Sequence, residues 1–138
     1  MVRDRQDVSS SGIVELSAVG TVEEAAHRLE CLLRARGLKL FARIDQAAEA
    51  RAFGLDLRPT VLFLFGDART GTPLMQRYPG FALDLPLKAL VWEADDGSVR
   101  LTYNAPEYFQ HRHGMSAPPF GGLAGLMRQA AQASFAVA

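Results

Sequence analysis

A chain of 138 residues and 15.0 kDa is long enough to bury one real core and short for two. With 49% hydrophobic and 22% charged residues it has the make-up of a globular protein, not a disordered one. Fifteen basic side chains balance fifteen acidic ones, so no chain-wide positive field exists to hold nucleic acid, and no apolar run approaches a membrane span.

Residues 1 to 11 read as a loose polar tail. "GIVELSAVG" (12 to 20) alternates as a first strand, with Ile13 and Leu16 offering apolar surface. Thr21 followed by Glu24 is a capping box, in which each side chain satisfies the free N–H at the other position. Behind it Val22, Ala25, Ala26, Leu29, Leu32 and Leu33 recur at helical spacing, and Gly37 is placed to end the helix.

"LKLFARI" alternates as a second strand, Leu38, Leu40 and Ile44 on one side and Lys39, Phe41 and Arg43 on the other. Asp45 caps a short helix, "QAAEARAF", that stops at Gly54. "PTVLFLFG" is apolar on both faces and predicts a buried interior strand from Pro59. In "FGDARTGTPLMQRYP" the spacing predicts a glycine loop, a Thr72 cap, and a helix opening at Pro73 that ends near Tyr78.

"LKALVWEA" and "SVRLTYN" form a hairpin. With Asp96 and Gly97 as a two-residue turn, Trp92 lies opposite Leu101, Leu90 opposite Tyr103, and Glu93 opposite Arg100. "PEYFQHRHG" predicts one or two helical turns, residues 115 to 122 a Pro/Gly linker, and residues 123 to 138 an amphipathic helix. That helix carries Leu123, Leu126, Met127, Ala130 and Ser134 on the side that packs on the domain or on a dimer partner.

Taken together, "FGDARTGTPLM", "LDLPLKALVWEADDG" and "YNAPEYFQHRHG" resemble the family called domain of unknown function 302, with the likeness running from about Gly12 to Gly114. The resemblance implies a single compact α+β domain, helices packed on a curved, mainly antiparallel sheet, that associates as a homodimer. It implies no established activity. Two stretches depart from the family pattern. Ile44, Asp45, Gln46 and Ala47 stand where the family resembles I-D-H-A, and Phe65, Gly66, Asp67 and Ala68 where it resembles F-G-N-P.

Several residue groups are candidate sites. Gly66 and Gly71 have phosphate-loop spacing, but Thr72 and Pro73 replace the Lys and the magnesium-binding hydroxyl, which excludes nucleotide hydrolysis there. What is left is a helix start able to accept an anion, or a plain turn with no ligand. Lys88, on the expected Trp92 and Tyr103 face with Asn104 near, either neutralises a ligand carboxylate or carries its ammonium out to water. His111 and His113, with Glu107 before them, lack the three or four converging ligands of a metal site, although His113 beside Arg112 suits a proton carrier or anion partner.

Cys31 stands alone, which excludes an internal disulfide; it sits opposite the apolar stripe beside Glu24, His27 and Arg34. The polar start lacks a signal-peptide core, so a cytoplasmic location is expected by elimination. The reading that follows is a homodimeric, non-catalytic binder of a small anionic metabolite, without cofactor or metal, whose cleft uses Gly71, Thr72, Lys88, Trp92, Tyr103 and His113. The alternatives are an enzyme, with His113 or Tyr103 moving a proton and Lys88 holding charge, and a structural dimerisation or docking module.

Overall fold

The computed structural model describes residues 11–132; the tail to residue 10 and Ser134 lie outside them. Five strands form one antiparallel sheet in the order β1-β5-β4-β3-β2. They are β1 (Ile13–Ala18), β2 (Lys39–Asp45), β3 (Thr60–Gly66), β4 (Leu87–Glu93) and β5 (Val99–Asn104). The helices are α1 (Val22–Ala35), α2 (Gln46–Arg51), α3 (Ala68–Arg77), α4 (Pro106–His113) and α5 (Leu123–Ala131), with a 3-10 helix at Pro79–Asp84.

The capping box forms: Thr21 Oγ1 accepts the Glu24 N–H at 3.1 Å and Glu24 Oε1 accepts the Thr21 N–H at 2.9 Å. Gly37, at φ 73°, closes the helix in the left-handed region, where a Cβ is costly. The stripe Val22, Ala25, Ala26, Leu29, Leu32 and Leu33 is buried, packing α1 across β3 and β4. Each of these contacts follows directly from helical periodicity.

The two faces of the sheet differ. Val14, Leu16, Val61, Phe63, Phe65, Ala89, Val91, Leu101 and Tyr103 point into the core beneath α1 and α5. Ile13 is therefore turned outward, 43% exposed, and Val14 takes the inward place expected of it. Leu62, Leu64, Leu90 and Trp92 lie half-buried on the opposite face. β3 is an interior strand between β4 and β2, yet only one of its faces is fully buried.

Strand β2 breaks the expected alternation. Its register with β3 slips between Leu40 and Ala42, a bulge at Phe41 on an edge strand. Leu40 then pairs with Phe65, whereas Ile44 pairs with Leu62 of the other face, so these two leucine-type residues are not on one side.

The hairpin is shifted by one residue from the expected register: Ala89 faces Tyr103, Leu90 faces Thr102, and Trp92 faces Arg100. The cause is the loop. Gly97 N–H donates to the Ala94 carbonyl at 2.9 Å and Ala94 N–H to the Ser98 carbonyl at 2.8 Å, enclosing Asp95, Asp96 and Gly97. Gly97, at φ 87°, is the left-handed third residue of a three-residue turn. One extra loop residue puts every β4 side chain on the opposite face from the β5 residue expected to partner it. Glu93 consequently pairs with Arg58 at 3.0 Å, and Arg100 with Glu15 at 2.5 Å, in place of each other.

The core continues past residue 114. Met115, Leu123, Leu126, Met127, Ala130 and Ala131 are buried with the sheet, so α5 lies on α1, β1 and β5 of its own chain.

Candidate functional site

The glycine stretch after β3 is helix, not loop. Asp67 is the cap: its Oδ1 accepts the Arg69 N–H at 3.0 Å, and α3 begins at Ala68. Gly71 N–H donates to the Asp67 carbonyl at 2.9 Å, already a helical bond. Thr72 does not cap, and Pro73 sits inside the helix, where it has no N–H to give the preceding turn. Neither Gly66 nor Gly71 has a positive φ. Gly71 is a buried wall residue where a Cβ would make an ordinary contact, 3.4 Å from Leu85 Cδ1, so the fold does not demand glycine there.

The helix start also has its own anion. Arg69, through backbone and guanidinium (Nε to Oδ1 3.2 Å), holds the Asp67 carboxyl below the usual carboxylate range. A second negative charge would be repelled there. The expected anion site at Gly71 and Thr72 has no free helix end to work with.

Lys88, Trp92, Tyr103 and His113 do not converge. The register places Lys88 and Trp92 on the open face and Tyr103 in the core. Lys88 is exposed, with Nζ 3.4 Å from the Pro86 carbonyl. Trp92 Nε1 donates to Thr102 Oγ1 at 2.8 Å across the hairpin. Burial pushes the Tyr103 hydroxyl up to about 12, Arg128 opposing and Glu107 adding to the rise.

His113 is bound elsewhere. Its Nε2 lies 2.6 Å from Asp84 Oδ2, and its ring meets Phe81 edge-on with centroids 5.1 Å apart. Arg112 Nε approaches the same carboxylate oxygen at 3.5 Å. The pair braces α4 against the 3-10 helix. His111 is exposed, and the described residues contain no cluster of three or more potential metal ligands. Cys31 is exposed, with Sγ 3.6 Å from His27 Nε2.

What the fold does build is a cavity of about 600 Å³ at the sheet end where β3 finishes and β2 begins. Gly66, Asp67 and Gly71 form one wall, so the glycine stretch does border this half-open cavity. Phe41 and Phe65, Met75 of α3, Leu85 and Pro86 (joined by a cis peptide bond), and Leu126 of α5 make the lining mainly apolar. Its volume lies within the roughly 300–1,000 Å³ of ligand pockets.

Two lining residues carry no signal in local sequence. Phe120 takes φ 57°, the one positive φ among described non-glycine residues, a costly state for an aromatic side chain. Arg36, the C-cap of α1, brings the only cationic side chain of the lining. Both belong to the cavity through tertiary folding: Arg36 follows a helix end, and Phe120 lies in the stretch read as a linker. The crowded "PPFGG" was the one available hint, as two glycines beside an aromatic relax the backbone around it.

Similarity to other proteins agrees with the architecture. A crystal structure of an uncharacterized conserved protein from Bacillus stearothermophilus, described as DUF302, superposes with a TM-score of 0.69 over 87% of this chain and 94% of that one, at 17% identity. The Fluoride-specific ion channel FluC 1 of Brucella suis is 38% identical over 108 residues, 78% of this chain and 42% of that protein. FluC 1 of Brucella abortus matches equally, with 40% of its length covered. The chain thus spans about two fifths of these curated relatives, and no helix among the described residues is long and apolar enough to cross a membrane. The family model described as "Domain of unknown function DUF302" matches residues 14–132, and the chain belongs to that family.

Proposed function

We propose that this domain is a non-catalytic homodimeric binding module that takes a small molecule with an apolar body into the cavity between β2, α3 and the start of α5. The observation that carries this reading is the cavity itself, about 600 Å³ with a mainly apolar lining. Exclusion of water from such a wall favours an apolar guest at about 25 cal/mol per Å² covered. Gly71 belongs to the site as a wall residue, while Thr72, Lys88, Trp92, Tyr103 and His113 stand outside it.

Catalysis has less support. The His113 nitrogen that would act as a base already faces Asp84, and a hydroxyl raised to about 12 is a poor proton carrier near neutrality. The conduction named for the fluoride-channel relatives is not assigned to this chain, which covers only about two fifths of them.

We assign dimerisation to the open sheet face. The side of α5 expected to pack on the domain or on a partner is used within the chain, while Leu62, Leu64, Leu90 and Trp92 present apolar surface away from α1 and α5.

Nile red, a neutral apolar dye, tests the cavity. The parent protein should bind it saturably. Gly71→Leu should lose that binding while melting no lower than the parent, since Leu favours the helix more than Gly does. Equal dye binding by folded parent and Gly71→Leu would remove the cavity as the site.

A further inference from the structure

We infer that the cavity takes an amphipathic monocarboxylate, with its carboxylate against Arg36 and its hydrocarbon body among Phe41, Phe65, Met75, Leu85 and Leu126; this rests on the cavity being a binding site. Charge decides the head group. Two charged residues line the cavity, Arg36 and Asp67. Asp67 is matched by Arg69, with Nε and Oδ1 3.2 Å apart. Arg36 is not matched: its guanidinium donates to Gln129 Oε1, a neutral amide, and no carboxylate among the described residues is within ion-pair distance. With Asp67 matched by Arg69 from outside the lining, Arg36 is the one lining charge left without a counter-charge among the described residues.

One fork-shaped guanidinium suits one carboxylate, which it can hold by two parallel N–H bonds. The amide of Gln129 leaves Arg36 on its current bond without cancelling its charge. Gly122, the N-cap of α5, and Leu123, its first residue, border the same space, and no side chain caps that helix start. Its partial positive charge adds to the field of Arg36. The rest of the wall has little to offer a polar body, so the second half of the ligand is hydrocarbon. A dianionic or sugar-like molecule would leave its polar groups without partners there.

Displacement of bound Nile red by decanoate and by decanol, below micelle-forming concentrations, tests this directly. The two share a chain and differ in the head. Decanoate is expected to bind about tenfold more tightly at low salt, the scale of one partly exposed charge-assisted pair, with the preference shrinking as salt rises. Arg36→Gln should erase the preference of decanoate over decanol, and Arg36→Lys should restore part of it. If both compounds bind alike, or Arg36→Gln keeps the preference for decanoate, the head-group assignment is wrong and the cavity stands. If neither compound displaces the dye and Gly71→Leu binds dye as the parent does, the cavity reading itself fails.

Discussion

Arg28 of α1 donates through Nε to the carbonyl of Ala130 in α5, 3.0 Å away, tying the first helix to the last across the core. Its Nη2 reaches the Val19 carbonyl at 2.6 Å, and the Val19 N–H in turn donates to the Ala131 carbonyl at 2.9 Å. Arg28 is 8% exposed, the one buried charged side chain among the described residues. Burial lowers its pKa, with Glu24 opposing, but a guanidinium stays charged.

Arg28→Met should therefore destabilise the fold by about 2 kcal/mol, because the buried Ala130 carbonyl and the partly buried Val19 carbonyl lose a charged donor. Urea denaturation at neutral pH measures it. Arg28→Lys should recover only part, as an ammonium lacks the planar fork that spans both acceptors. A loss under about 0.5 kcal/mol for Arg28→Met would mean that water satisfies these carbonyls, and the tie between α1 and α5 is not what holds the cavity wall.

Tyr78 and Tyr103 should ionise in separate stages, which phenolate absorbance can follow. Tyr78 should titrate below 10, since Arg77 and then Ser116 favour its charged form. Tyr103 should titrate near 12. The sign for stability follows: a hydroxyl whose folded pKa is raised adds stability that is whole below its unfolded value of 10. That contribution is lost as pH rises through 12. Tyr103→Phe should remove the latest absorbance step and flatten the alkaline decline in stability. A Tyr103 step at or below 10 would show that it is not buried in the core.

Phe120 allows a comparison that isolates backbone strain. Ala and Gly at this position both remove the ring, so the difference between them reports the φ of 57°. Gly should be the more stable by about 1 kcal/mol, the reverse of the order in a helix or strand. Thermal denaturation of the two variants side by side decides it. Should Ala prove as stable as Gly, the residue does not hold the left-handed state in solution.

Local rules reached far into this fold and then stopped at identifiable places. The Thr21 and Glu24 pair, Asp45 before its helix and Gly37 after α1 depend only on neighbours in sequence, and each was legible. The hairpin was legible as a hairpin, but its register turned on whether the loop holds two residues or three, and "ADDGS" fits either. That single residue separated Lys88 and Trp92 from Tyr103 and dissolved the expected cleft. The bulge at Phe41 had the same effect on β2. Pro73 misled in a different way: Pro favours the first helical position, yet the Asp67 cap started α3 earlier and carried Pro73 inside. Arg36 and Phe120 meet at the cavity only because α5 folds back on α1, a relation that no local pattern encodes.

The open sheet face yields the final prediction. Leu62 pairs with Leu90 and Thr60 with Trp92 across β3 and β4, so the apolar residues there form one continuous patch and not scattered points. A charge placed at its border, on Leu64 opposite Lys88, should disrupt a second copy lying on this face while sparing the core, because Leu64 points away from Phe63 and Phe65. Light scattering should give twice the 15.0 kDa chain mass for the parent and a single chain mass for Leu64→Glu. Trp92, the sole tryptophan, sits within the same patch and reports on it independently. Its emission should shift to longer wavelength, and become easier to quench with acrylamide, in Leu64→Glu or on dilution of the parent. A parent that is monomeric throughout the micromolar range would overturn dimerisation altogether. A Leu64→Glu protein that stays dimeric, with Trp92 no more accessible than before, would instead show that the two chains meet through another surface.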